Sequence, residues 1–240
     1  MQDIDKQNWE SQFIECEYSS KLLNKIRSLN ELGPSKLDIN AIKKAIYYAK
    51  KYHSGQTRQS GEPYYTHPLE VAYMFITFAV QDNYTKLYRT DLVITAILHD
   101  VIEDTDFTQE KITVVFGEDI ANQVEALTRI KPHGKISSAE MVRTLLEQEK
   151  YDLLLIKMFD RLHNVYTLWA KSPEKIQKIV AETIQDFLIL PMYFENLDIE
   201  KILLEKCLEL TGQKLPKNNN ESVLASLNIP SPEPVKVKPK

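Results

Sequence analysis

Glycine is scarce in this chain, and that scarcity narrows the folds open to it. Six glycines stand in 240 residues, about a third of the ordinary usage near 7%. They fall at segment boundaries: Gly33 beside Pro34, Gly55 and Gly61 in one polar run, then Gly117, Gly134 and Gly212. A chain with so few residues suited to positive φ has little use for β-hairpins or nucleotide-cradling glycine loops. Neither GxGxxG nor GK followed by Ser or Thr occurs, so Rossmann and P-loop arrangements are poor readings. Helices are what remains.

The hydrophobic fraction of 43% excludes a wholly disordered chain, because there is ample apolar surface to bury. Thirty basic against 34 acidic residues leave a net charge of −4. No global basic field points to nucleic acid or an anionic membrane as partner. The N-terminus MQDIDKQNWE is polar and acidic, unlike a signal peptide. Val71 to Val80 is the longest apolar stretch and is interrupted by Thr77. It is too short for a bilayer, which needs about 20 residues. Cys16 and Cys207 lie far apart without metal-ligand spacing, which suits packed thiols in a reducing compartment. A soluble, cytoplasmic protein is expected.

Apolar spacing marks out the segments. Trp9, Phe13, Cys16, Leu22, Leu23, Ile26 and Leu29 follow a helical stripe that Gly33-Pro34 ends. Asp38 or Asn40 caps a second helix running to about Tyr52. The polar run HSGQTRQSGEPYYTHP (53–68) reads as a long loop, of the kind that is functional or disordered. Helices follow from Leu69 to Val80 and from Asp91 to about Asp104. Thr108 caps a further helix, with Lys111 where a capping box would need Glu or Gln. Two short helices flank Gly117, a loop spans 131–138, and one or two helices fill 139–170. Ser172-Pro173 restarts a helix to about Leu190, and Ile199 to Leu210 forms the last. Beyond Gly212, Lys, Asn, Ser and Pro compose a disordered tail. The expectation is an all-α bundle of roughly eight to ten helices.

Chemistry-bearing residues gather in three places. In DLVITAILHDVIEDT (91–105), a regular helix puts Glu103 about 40°, Asp100 about 100° and Asp104 about 140° from His99. Carboxylates beside an apolar run are costly without a cation or hydrogen-bond partners, and imidazole with carboxylate is a divalent-ion ligand set. In KMFDRLHNVYTL (157–168), Lys157, Asp160, Asn164 and Thr167 line one helical stripe. In RQSGEPYYTH (58–67), Arg58 offers a planar guanidinium for a base or a phosphate, and His67 stands at a loop-to-helix junction. Taken singly, the two helical stripes also fit solvated helix faces, and Arg58 an exposed loop cation. His53, His133 and His163 are assigned no ligand role.

The combination is more specific. A loop histidine, an adjacent His-Asp pair and a distant Asp resemble the ligand pattern of HD-domain metal-dependent phosphohydrolases. With HSGQTRQSGEPYYTHP, LHDVIEDT and DRLHN in this order, residues 38–190 resemble the hydrolase domain of the RelA/SpoT alarmone family. Those enzymes remove the 3′-pyrophosphate of ppGpp and pppGpp, a guanine nucleotide substrate. The resemblance implies one Mn²⁺ held by His67, His99, Asp100 and Asp160, with Glu103 and Asp104 as the acidic pair serving beside it. It implies that Arg58 packs on the guanine, with Ser60 in the same loop. Asn164 and Thr167 fall near ribose and phosphates, and Lys157 and Arg161 become phosphate-side cations.

The implied organisation is an N-terminal helical extension (1–37), an HD hydrolase domain (38–212) and a tail (213–240). With no synthetase domain following, the chain is expected to be a stand-alone hydrolase or a fragment of a longer enzyme. Two departures stand out. The family commonly has a basic residue after the loop arginine, where this chain has Gln59. It commonly reads KLADR, where this chain reads KMFDR and so places Phe159 beside Asp160. The competing readings are another HD nucleotide phosphohydrolase, or a non-catalytic module that binds alarmone. Oligomeric state stays open.

Overall fold

The computed structural model describes residues 8–32, 35–131, 133–188, 190 and 197–212. It divides into two compact units, split between Lys171 and Ser172. The first unit carries α1 (Trp9–Gln12), α2 (Glu17–Leu32), α3 (Ile39–Tyr52), α4 (Thr66–Ala79), α5 (Thr90–Leu98) and α6 (Val101–Asp104). It continues with α7 (Gln109–Phe116), α8 (Glu118–Leu127), a minimal hairpin of β1 (Ile130–Lys131) and β2 (Gly134–Lys135), α9 (Ser138–Glu147) and α10 (Tyr151–Tyr166). The second unit pairs α11 (Pro173–Phe187) with α12 (Leu197–Thr211). The helical class is as the sequence led us to expect. Gly33-Pro34 and the tail from 213 lie outside the described residues.

Local chemistry accounts for the ends of these helices. Asp38 caps α3 as read, its carboxylate accepting from the amides of Asn40 (2.9 Å) and Ala41 (3.0 Å). Thr108 accepts weakly from Lys111 at 3.4 Å, and Ser137 caps α9 through Glu140 at 3.1 Å. Both cysteines are thiols, Cys16 half-buried and Cys207 buried. No helix among the described residues is long and apolar enough to cross a membrane.

α5 is the centre of the first unit. Every residue from Leu92 to Leu98 is buried, and a helix apolar all round belongs inside. It packs against α3, α4, α8 and α10. Its single polar interior group, the Thr95 hydroxyl, donates to Gln123 Oε1 at 2.5 Å. α10 is buried without interruption from Leu153 to Asp160. The site therefore stands where α5 ends and where α4 and α10 pass beside it.

Three local features depart from the sequence reading. The helix expected from Asp91 to Asp104 breaks at His99-Asp100, and α6 restarts at Val101. There the His99 ring takes the Ala96 carbonyl at 2.8 Å, and Asp100 sits at φ −103°, ψ −6°, off the helical minimum. The loop expected at 131–138 contains the hairpin, with Gly134 at φ 124°, a conformation that side chains rarely adopt. The run from His53 to Tyr65 is an ordered turn. Arg58 N donates to Glu62 O and Gly61 N to Arg58 O, both at 2.9 Å, and Tyr64 N reaches back to Gln56 O at 2.9 Å.

Phe159, the bulky departure beside Asp160, points into the core. It is 4% exposed and meets the Phe78 ring edge-on at 5.7 Å between centroids. Substituting Phe159→Ala removes that ring and leaves a cavity, at an expected cost of about 3–5 kcal/mol. Urea denaturation checks this, and a loss below about 1 kcal/mol would show the ring to be dispensable.

Candidate metal centre and adjoining pocket

Four side chains from two helices and a helix break converge on one point. His67 is the second residue of α4, placed there by the turn that ends at Tyr65. His99 and Asp100 form the break after α5, and Asp160 projects from α10. Nε2 of His67 lies 3.1 Å from Asp160 Oδ1 and 3.6 Å from Asp100 Oδ2. Nε2 of His99 lies 3.1 Å from Asp100 Oδ2 and 3.7 Å from Asp160 Oδ1. These four contacts close a ring of alternating nitrogen and oxygen atoms. An ion with bonds of about 2 Å spreads its ligand atoms over roughly 3–4 Å. All four atoms lie within 4.8 Å of one another, and among the described residues no other such group is found.

The imidazoles are aimed as metal ligands are. The Ala96 carbonyl only accepts, so Nδ1 of His99 donates to it and Nε2 faces the ring. That Nε2 is buried and, despite its short approach to Asp100, makes no hydrogen bond. An orphaned, inward-facing nitrogen whose partner nitrogen is fixed by a backbone carbonyl is the arrangement a ligating histidine adopts. His67 is oriented likewise, its Nδ1 held by Nδ1 of His163 at 2.9 Å. The donor set thus fits a divalent cation.

Electrostatics of the ring are tightly coupled. Asp160 is buried, and Lys157 Nζ, buried with it, sits 2.7 Å from its Oδ2. Burial opposes ionisation of Asp160, but Lys157, His67 and His99 outweigh it and hold its carboxyl well below the usual range. Burial likewise opposes a charged His99, yet Asp100 and Asp160 push it up to about 10. His67 and His163 are both lowered by burial, His163 to about 3, where His67 and Arg58 add to the effect. The Lys157 ammonium is thus in direct contact with a carboxylate of the ring.

The acidic pair divides. Asp104 shares the Tyr64 hydroxyl with Asp100, at 2.7 and 2.9 Å, and burial followed by the Asp100 charge raises its carboxyl. Glu103 is engaged elsewhere. Its Oε1 meets Lys135 Nζ at 2.7 Å and Arg129 Nη2 at 2.8 Å, and its Oε2 accepts from Arg129 N at 3.1 Å. Burial pushes Glu103 up, but Lys135 and Arg129 prevail and hold it below its ordinary value.

A cavity of about 290 Å³ adjoins the ring, lined in part by Arg58, Gln59, Ser60, Tyr64, Asn164 and Thr167. Nη2 of Arg58 donates to Asn164 Oδ1 at 2.9 Å and Thr167 Oγ1 at 3.0 Å. Asn164 Nδ2 donates in turn to Asp160 Oδ1 at 2.6 Å. Pocket and ring are therefore joined by one hydrogen-bonded chain. Ser60 donates to Glu62 within its turn. Arg161 leans on Ser138 at 3.0 Å, whereas Lys157 faces Asp160.

The family pattern of the HD domain matches residues 45–189. The chain belongs to the HD-domain family. Among proteins similar to this HD domain is a guanosine-3′,5′-bis(diphosphate) 3′-pyrophosphohydrolase of Aquifex aeolicus, 40% identical over 147 residues. Another is a GTP pyrophosphokinase of Myxococcus xanthus, 38% identical over 156 residues. These alignments cover 60% and 61% of this chain but only 20% of each relative. The chain thus spans about a fifth of their length. A solved structure described as a metazoan ortholog of SpoT that hydrolyzes ppGpp has a TM-score of 0.52 at 21% identity, covering 75% of this chain and all of that one. It supports the fold.

Several residues that shape the HD site were not singled out from sequence. His163, read without a ligand role, holds His67 from behind. Its i+3 spacing from Asp160 on α10 was the available signal. Tyr64, bridging Asp100 and Asp104, stands three residues before His67. Arg129 and Lys135 owe their positions to the hairpin, for which the sequence carried only Gly134.

Proposed function

We propose that this HD domain hydrolyses the 3′-pyrophosphate of ppGpp and pppGpp, yielding GDP or GTP and pyrophosphate, with one Mn²⁺ as cofactor. The observation that carries the proposal is the closed nitrogen–oxygen ring joined through Asn164 to a pocket holding Arg58. The names of the curated relatives support the substrate class. Two thiols in place of a disulfide suit the cytoplasm, where such a nucleotide would be met.

His67, His99, Asp100 and Asp160 would hold the cation, which supplies Lewis-acid polarisation of a phosphoryl oxygen and acidifies a water. Around it the chain's own groups divide the work. Asp104 is raised above its ordinary value and steadied by Tyr64. That makes it the better base of the acidic pair for the proton of the attacking water. The water oxygen bonds to the phosphorus on O3′, and the P–O3′ bond breaks with its electron pair staying on O3′. O3′ takes up a proton, the one held by Asp104 or one from solvent, to become the product's hydroxyl. Glu103, clasped by Arg129 and Lys135, fixes those two cations at the edge of the site. Arg58, tied to Asn164 and Thr167, presents a fixed guanidinium plane on which guanine stacks.

A substrate panel tests this reading. Purified protein with Mn²⁺ is expected to release pyrophosphate from ppGpp and to leave deoxynucleoside triphosphates intact. Turnover of the triphosphates with ppGpp inert would favour a different HD nucleotide phosphohydrolase. Nucleotide binding without turnover would favour a sensing module.

A further inference from the structure

Gln59 leaves neutral the position where the resembling family commonly carries a basic residue, yet the pocket has not lost that charge. Lys171, which follows the short turn after α10, lines the same cavity, and its Nζ donates to Gln59 Oε1 at 3.2 Å. More than a hundred residues separate the two in sequence, so only the fold brings this ammonium to the loop. Among the described residues lining the cavity there is no carboxylate, and two, Arg58 and Lys171, are cations. Such a lining selects an anion.

The arrangement has two ends. Tyr64 and Asn164 hydrogen-bond carboxylates of the metal ring, whereas Gln59 and Lys171 bond to each other. A nucleotide whose 3′-pyrophosphate meets the ring sends its base and its 5′-phosphates toward the other end. The planar Arg58 guanidinium suits the base. A lysine ammonium, compact and carrying three donors, suits phosphate oxygens. We propose that Lys171 binds the 5′-phosphates of the guanine nucleotide, supplying from the segment just beyond α10 the cation that Gln59 does not. The proposal rests on the nucleotide reading above.

The test compares wild type, Lys171→Ala, Lys171→Arg and the double variant Lys171→Ala/Gln59→Lys. Calorimetry measures binding of GDP and of guanosine 3′-monophosphate, which lacks 5′-phosphates. Lys171→Ala is expected to weaken GDP about tenfold, as for loss of one charge-assisted hydrogen bond, and guanosine 3′-monophosphate less than about twofold. KM for ppGpp rises in parallel while kcat is retained. Lys171→Arg and the double variant restore most of the affinity. Equal weakening of both ligands, or unchanged GDP binding, overturns the proposal. Wild type that hydrolyses ppGpp while Lys171→Ala binds GDP normally sinks this inference and leaves the hydrolase reading standing. Lys171-dependent GDP binding without pyrophosphate release does the reverse, and a wild type that binds neither ligand and releases no pyrophosphate from ppGpp sinks both.

Discussion

Asp160→Asn abolishes turnover, lowering kcat/KM by about a thousandfold or more while the fold persists. Asparagine keeps the shape of the side chain and an acceptor for Asn164, whose Nδ2 stands 2.6 Å from Oδ1. What it loses is charge, at the atom closest to His67 and in the group paired with Lys157. An amide is a poor ligand for the cation and leaves the Lys157 ammonium opposite a neutral group. Steady-state kinetics and metal titration check the two consequences separately. Affinity for Mn²⁺ falls with turnover, while the circular-dichroism spectrum stays that of the wild type. Activity within about tenfold of wild type would remove Asp160 from the metal set.

Lys157→Met destabilises the ion-free protein by about 3–5 kcal/mol, and a saturating divalent cation recovers most of that loss. Lys157 is buried and 2.7 Å from Asp160, also buried. Its removal strands a carboxylate in a medium that solvates charge poorly, and breaking a buried pair from one side carries costs of this size. Methionine preserves most of the volume, so packing contributes little. A bound cation restores the missing positive charge, and binding to the folded state alone adds stability by mass action. Urea denaturation with chelator and with Mn²⁺ measures both quantities. An equal deficit under the two conditions would place Lys157 outside the electrostatics of the ring. The sequence reading made it a phosphate-side cation. The geometry gives it Asp160 as its neighbour.

How much was legible in advance depends on how far each contact reaches. The apolar runs leading into LHD and through DRLHN fix which face is inward, so His99, Asp100 and Asp160 stood out beside a buried face, while their joint role as ligands came from the family resemblance. Helical class followed from scarce glycine and from apolar stretches as long as that of α10. The break at His99-Asp100 could not be read, because it depends on a side chain competing for the Ala96 carbonyl. On an uninterrupted helix the two ligands diverge by about 100°; at the break they meet at 3.1 Å. Glu103's engagement was hidden for another reason. Its partners are Arg129, just before β1, and Lys135 in β2, and no alternation of apolar residues announces a hairpin whose strands are two residues long. Lys171 and Gln59 meet only through tertiary packing.

Everything rests on four donor atoms sharing one ion. Crystals grown with Mn²⁺ and measured at the manganese absorption edge test this directly. A single strong anomalous peak is expected within bonding distance, about 2 Å, of Nε2 of His67 and His99 and of a carboxylate oxygen of Asp100 and Asp160. A peak elsewhere, or four side chains that stay collapsed on one another at saturating Mn²⁺, would contradict it.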